Sequence, residues 1–173
     1  MKTKITIYYL EMLSPDDLRP STKIVEDLEI KQVKIPCPEY NRFLYSAVGR
    51  VWNWFEKLSW TEKQWQEHVN QPGLETWVGY VSGTPAGYFE LDKQSNNNVE
   101  ILYFGLLPEF IGRGLGGHLL TAAVRRAWAT GAKRVWVHTC SLDHPAALAN
   151  YKARGFSLYK QETEFKELPG DNS

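Results

Sequence analysis

A chain of 173 residues with 43% hydrophobic side chains, and with 20 basic against 20 acidic residues, suits one globular domain with a core of its own. Zero formal net charge, with no run of Lys or Arg longer than two, excludes a broad electrostatic footprint for nucleic acid or anionic membrane. The two cysteines, Cys37 and Cys140, are too few for a disulfide framework and lack metal-ligand spacing, which points to a reducing, cytoplasmic setting and no bound metal.

In chain order, Thr3 to Leu10 is a predicted strand; Glu11 breaks its apolar run, which is too short for a signal segment or a membrane span. The stretch SPDDLRPS is a loop with two prolines. Leu28 to Ile35 alternates apolar and polar side chains, as a half-buried strand should, and Pro36-Cys37-Pro38 ends it. Tyr40 to Trp54 is aromatic-rich with mixed helical spacing. Thr61 to Gln64 then has the form of a capping box, opening a helix that runs to Val69 before Pro72-Gly73 turns the chain.

Ser82-Gly83-Thr84-Pro85 is a hairpin signal between strands Thr76 to Val81 and Ala86 to Leu91, and Val99 to Leu107 extends them into an antiparallel meander. That third strand is almost wholly apolar, as expected when both faces are covered, with Glu100 its one charge. Gly105, among large side chains, signals a bulge or a close backbone approach. From Gly117 the apolar positions Leu119, Leu120, Ala123, Val124, Ala127 and Trp128 recur at helical spacing until Gly131 stops them. Arg134 to Cys140 should return parallel to Val99 to Leu107, closing a β-α-β unit. Pro145 suits the first turn of a helix capped by Asp143 or His144 and ended by Gly155. Phe156 to Lys160 and Thr163 to Leu168 are read as a closing hairpin.

Between strand and helix stand Gly112, Gly114, Gly116 and Gly117. Glycines let backbone N–H groups approach phosphate oxygens, and the new helix adds unpaired amides and a positive dipole end, so this is a cradle for a pyrophosphate. GRGLGG satisfies G-x-G-x-x-G, but Pro108 to Ile111 separate it from its strand and the next strand, RVWVHTC, ends without an acid, unlike a Rossmann turn. A Walker A ending is missing too.

The loop Ile111-Gly112-Arg113-Gly114-Leu115-Gly116 resembles motif A of the GCN5-related N-acetyltransferases (GNAT), with Ile111 where that family usually has Gln or Arg. Asp143 to Phe156 is similar to the family's motif B, with Ala147, Tyr151, Lys152, Gly155 and Phe156 matching and His144 standing where Asn is usual. The resemblance implies an α/β (α+β) acyl-CoA N-acyltransferase fold: a mixed, mostly antiparallel central sheet with helices on both faces and a splayed parallel strand pair. It implies one domain over 1–173, with N-terminal strands and acceptor-side helices in 1–75, an acetyl-CoA-binding core in 76–168 and a tail in 169–173. The family's first strand leads straight into its first helix, a role open to either N-terminal strand. The helices from Tyr40 and from Thr61, with the loop between them, RVWNWFEKLSW, Arg50 to Trp60, would form one wall of the acceptor site.

By the same resemblance, acetyl-CoA would be held by Leu106, Leu107, Gly112, Arg113, Gly114, Leu115, Gly116, Gly117, His144, Ala147 and Tyr151. Glu100 falls where histone-type members carry a glutamate base, with Glu90 in reserve. A backbone N–H near Leu106 would polarise the thioester carbonyl, and Tyr151 would protonate the departing thiolate. His68, His118 and His138 form no catalytic or metal constellation in the sequence. The expectation is an N-acetyltransferase acting on a primary amine, monomer or homodimer, without nucleic acid, membrane or metal. A non-catalytic acyl-CoA sensor, or an acyltransferase using another acyl-CoA or a hydroxyl acceptor, is the alternative.

Overall fold

The alternating and β-branched runs settle into a seven-stranded sheet in the computed structural model, which describes residues 1–169. The strands are β1 (Lys2–Met12), β2 (Leu28–Gln32), β3 (Leu74–Val81), β4 (Thr84–Lys93), β5 (Asn98–Leu106), β6 (Arg134–Cys140) and β7 (Ser157–Glu167). The helices are α1 (Pro38–Gly49), α2 (Glu62–Val69), α3 (Leu115–Ala129) and α4 (Ala147–Ala153). The sheet order is β2-β3-β4-β5-β6-β1-β7; β5 and β6 are parallel and the other neighbours antiparallel. Of the tail expected in 169–173, residues 170–173 lie outside the described residues.

Strand periodicity sorts the core onto two faces. Phe89, Leu91, Val99, Ile101, Val135 and Val137 pack with Leu10 and Met12 against the apolar stripe Leu119, Leu120, Ala123, Val124 and Ala127 of α3. On the opposite face Tyr88 and Val78 pack against Leu44 and Val48 of α1. Each such side chain, taken fully out of water, contributes roughly 1.5–3 kcal/mol, so both faces are held firmly. The capping box forms as expected: Gln64 N–H donates to Thr61 Oγ1 at 3.2 Å while Thr61 N–H donates to Gln64 Oε1 at 2.8 Å.

Several expectations are corrected. β2 stops at Gln32 rather than Ile35, because Pro36 and Pro38 swing the chain into α1 and leave Ile35 exposed. β2 is thus the strand that precedes the first helix, while β1 is inserted between β6 and β7. The helix from Tyr40 ends at Gly49, not Trp54: Trp54 N–H donates back to Gly49 O at 3.1 Å and Asn53 takes a left-handed φ of 61°. The bulge in β5 lies at Leu102, skipped between the pairs Glu90↔Tyr103 and Leu91↔Ile101. Gly105 marks instead a close approach, since a Cβ there would lie 2.5 Å from Val48 Cγ1.

The closing hairpin is one continuous strand. No glycine, proline or asparagine interrupts Ser157–Glu167, and β1 offers a partner of equal length, so the polar Gln161 and Glu162 stay in the ladder. α4 starts at Ala147 without a side-chain cap. Asp143 is used otherwise, accepting from Thr139 Oγ1 at 2.6 Å and Cys140 N–H at 3.0 Å, and His144 Nδ1 accepts from Ala146 N–H at 2.9 Å in the preceding turn.

Candidate active site

The parallel ladder between β5 and β6 runs only from Asn98↔Arg134 to Ile101↔Val137. Past that point the strands part, and the gap opens into a cleft of about 560 Å³ between sheet, glycine loop and α4. Leu107 N–H donates to Ala86 O of β4 at 2.8 Å. Because N–H groups alternate sides along an antiparallel strand, Leu106 turns its own N–H away from β4, toward the side that β6 has left. A strand edge with an unspent donor beside a cleft suits a carbonyl that gains negative charge.

The glycine loop supplies the cleft's other end. Gly112 and Gly114 take φ of 84° and 80°, a left-handed backbone that costs other residues about 1–2 kcal/mol. Gly114 is the N-cap of α3 and brings no side chain to it, so the first-turn amides of a 15-residue helix stay free for an anion. Gly112, Gly114, Leu115, Gly116 and Gly117 all line the cleft, as do Leu106, His144, Ala147 and Tyr151. Leu107 and Arg113 do not line it: Leu107 N–H is spent on β4, and the Arg113 guanidinium lies 5.1 Å from the Phe110 ring centroid.

Two cations beside the loop were not singled out by sequence reasoning. A Cβ on Gly114 would lie 3.1 Å from Lys23 Cδ, and one on Gly117 would meet Arg154 Nη1. Arg154 Nε is buried without a hydrogen-bond partner among the described residues. Lys23 arrives through the loop after β1, pinned where Ser21 N–H donates to Thr121 Oγ1 at 3.0 Å and Arg19 N–H to Arg154 O at 2.9 Å. No local pattern marks Lys23; Arg154 carries only its place beside Gly155.

A second cleft, of about 380 Å³, shares Trp52, Trp54, Leu102, Tyr103, His138, Thr139 and Asp143 with the first. The two are therefore joined around the fork of β5 and β6. Trp54 is fixed there by donating its Nε1–H to Asp143 Oδ1 at 3.1 Å and by its ring contact with Tyr45, centroids 5.6 Å apart. Glu56 and Lys166 pair at 2.9 Å in this cleft, and that hydrogen bond is the main cause holding the Glu56 carboxyl below its usual range.

Glu100 and Glu90 are both buried and line neither cleft. Glu90 Oε1 sits 2.6 Å from His68 Nε2. Glu100 Oε2 accepts from Gln94 Nε2 at 2.9 Å, and its Oε1 lies 3.2 Å from His138 Nδ1. Two histidines that stood alone in the sequence are thus each paired with a strand carboxylate. The expected parallel return of β6 was the only available signal for the second pair; its register, Glu100 opposite Trp136, puts His138 on the same face two residues on. Tyr151 packs between Phe104 and Phe156, and burial first, then the Asp143 charge, pushes its phenol well above the ordinary range. It keeps its proton until a strong base appears beside it.

A family model described as acetyltransferase (GNAT) family matches residues 35–156. Mycothiol acetyltransferase of Corynebacterium aurimucosum is 39% identical over 62 residues, which are 36% of this chain and 20% of that protein. A GCN5-related N-acetyltransferase from Sphaerobacter thermophilus superposes with a TM-score of 0.69 at 17% identity, covering 98% of this chain and 54% of that one. One from Kribbella flavida gives 0.65 at 15% identity, covering 98% and 60%. The structural likeness is one of fold, and this chain spans about a fifth of the curated relative and 54–60% of these two structures.

Proposed function

This chain belongs to the GNAT acetyltransferase family, and from that premise we propose that it moves an acetyl group from acetyl-CoA to a primary amine by direct attack, with no covalent enzyme intermediate. The observation that carries the reading is the junction of the two clefts at the fork of β5 and β6, with a glycine cradle at one end and an aromatic chamber at the other.

The residues fit acetyl-CoA. The free amides from Gly114 onward face its diphosphate, with Lys23 and Arg154 beside them, and at Gly116 a Cβ would already touch Asn150 Nδ2 at 3.6 Å, so the bare glycine keeps that part of the cleft open. When bound, acetyl-CoA supplies an activated acyl group on a good leaving thiolate. Leu106 N–H is aimed at the acetyl carbonyl oxygen and stabilises it as charge develops. Tyr151 is the proton donor to the thiolate. An alkylamine, with a reference pKa near about 10.4, must shed a proton to attack, and the Glu100 carboxylate, which lines neither cleft, assists that loss from behind the fork. Trp52, Trp54, Tyr45 and Tyr103 wall the acceptor chamber, a setting for an amine borne on a compact apolar body.

The test is free-thiol release from acetyl-CoA with a panel of primary amines, beside calorimetric binding of acetyl-CoA alone. Binding together with amine-dependent release is expected, and Tyr151→Phe should lower turnover about tenfold or more while leaving acetyl-CoA affinity within about twofold. Binding without release for any amine would replace the enzyme by an acyl-CoA sensor.

A further inference from the structure

Resting on that reading, and going beyond it, we infer that the atom which takes the amine proton is His138 Nε2, and that Glu100 acts through His138 as its positioning residue.

Glu100 does not reach the reaction space. Its side chain is 7% exposed, both its oxygens are engaged, and it lines neither cleft. His138 does reach it: its side chain is 45% exposed, and it lines both clefts. It is also the first residue of β6 past the last rung of the parallel ladder, Ile101↔Val137, and so stands at the fork where thioester and amine must meet.

The network behind it sets the tautomer. Trp136 Nε1–H donates to Gln94 Oε1 at 3.0 Å, and Gln94 Nε2 donates to Glu100 Oε2 at 2.9 Å. This chain fixes the carboxylate rotamer and leaves Oε1 3.2 Å from Nδ1 of His138, so the facing negative charge favours the tautomer with its proton on Nδ1. The unprotonated nitrogen is then Nε2. Tyr9 of β1 flanks the imidazole, ring centroids 5.8 Å apart, and Trp136 flanks it at 6.1 Å, which limits its rotation.

In the step itself the amine nitrogen bonds to the acetyl carbon, and its proton passes to Nε2. The C–S bond breaks with its electron pair going to sulfur, which takes the Tyr151 proton. The imidazolium so formed is paired with Glu100 and returns its proton to water, as Tyr151 regains one. The other titratable groups around the ring are Glu56 and Glu164, both paired with Lys166, the phenols of Tyr9 and Tyr103, the Cys140 thiol, which burial pushes up so that it keeps its proton, and Asp143, already engaged by Thr139, Cys140 N–H and Trp54. None combines an unspent lone pair with a place at the fork.

The experiment compares His138→Gln, His138→Ala and Glu100→Gln with wild type, using acetyl-CoA and the amine turned over fastest in the screen above. His138→Gln should bind acetyl-CoA within about twofold of wild type, lose about a hundredfold or more in kcat, and lose the acidic limb of its pH profile. His138→Ala should regain turnover with added imidazole. Glu100→Gln should keep an acidic limb and lose less in kcat than His138→Gln does, as expected of a residue that positions the base. A His138→Gln enzyme that retains turnover and acidic limb, while Glu100→Gln abolishes that limb, overturns the inference and makes the carboxylate the direct base. Should wild type bind acetyl-CoA and turn over no amine, the acetyltransfer reading fails first and takes this inference with it. Ring-nitrogen NMR of wild type separates the two failures, because protonation at Nδ1 is expected whatever the acceptor, and protonation at Nε2 contradicts the pairing alone.

Discussion

Glu75 shows how one carboxylate is turned into a stabilising device. It is 6% exposed and accepts from Arg126 Nε at 2.8 Å, Arg126 Nη2 at 3.1 Å and Trp77 Nε1 at 2.9 Å, with Lys93 Nζ at 3.4 Å. Burial by itself pushes its carboxyl up, but the Arg126 hydrogen bonds, then Trp77 and the two positive charges, bring it below its ordinary value. A group whose folded pKa is depressed stabilises the fold above its unfolded pKa, about 4.3 for Glu, and loses that contribution as pH falls through the lower folded value. Glu75→Gln should therefore cost about 1–3 kcal/mol at pH 7 and flatten the fall in Tm on acidification below about pH 5. Thermal scans across that range check it; parallel wild-type and variant curves would show that Glu75 contributes no acid sensitivity. Residue-scale legibility was uneven. The special backbone at Gly112 and Gly114 was readable, because only glycine takes that φ without strain, whereas Lys23 was not, because nothing near it in sequence shows what it will lie beside.

At the scale of elements, α3 couples the core to the cradle. Its apolar stripe is buried against β4, β5 and β6, and its N-terminus opens on the cleft, so one helix both fixes the sheet and presents amides. Gly114→Val places a β-branched side chain at a left-handed φ of 80°, crowding Lys23, while the stripe from Leu119 onward is untouched. The expected result is at least a tenfold loss of acetyl-CoA affinity by calorimetry, with a Tm change of a few degrees. Unchanged affinity would show that the loop does not hold the diphosphate. The stripe was readable from its period and the loop from its glycines. The end of α1 was not, since Gly49 halts that helix only because Trp54 folds back over it.

At the scale of the whole molecule, the N-terminal strand decides how the sheet is completed. β1 pairs with β6 on one side and β7 on the other, and it contributes Leu10 and Met12 to the main core. Leu10→Ala is expected to cost about 2–5 kcal/mol, read as a lower denaturation midpoint at unchanged m. A loss under about 1 kcal/mol would make β1 an appendage rather than a member of the sheet.

By itself the sequence determined what depends on near neighbours: the amphipathic α3, the capping box on α2, the meander β3-β4-β5 and the glycine cradle, each encoded within about one element's length. The family resemblance, carried by two local motifs, added the splayed parallel pair. Tertiary structure alone decided the slot of β1, the unbroken course of β7 and the meeting of Lys23 and Arg154 with the glycine loop. It also decided the pairing of His138 with Glu100. The physical reason is common to all four. Strand register and edge choice are set by which distant surfaces bury each other best, and a polar side chain gains its partner only after that choice is made.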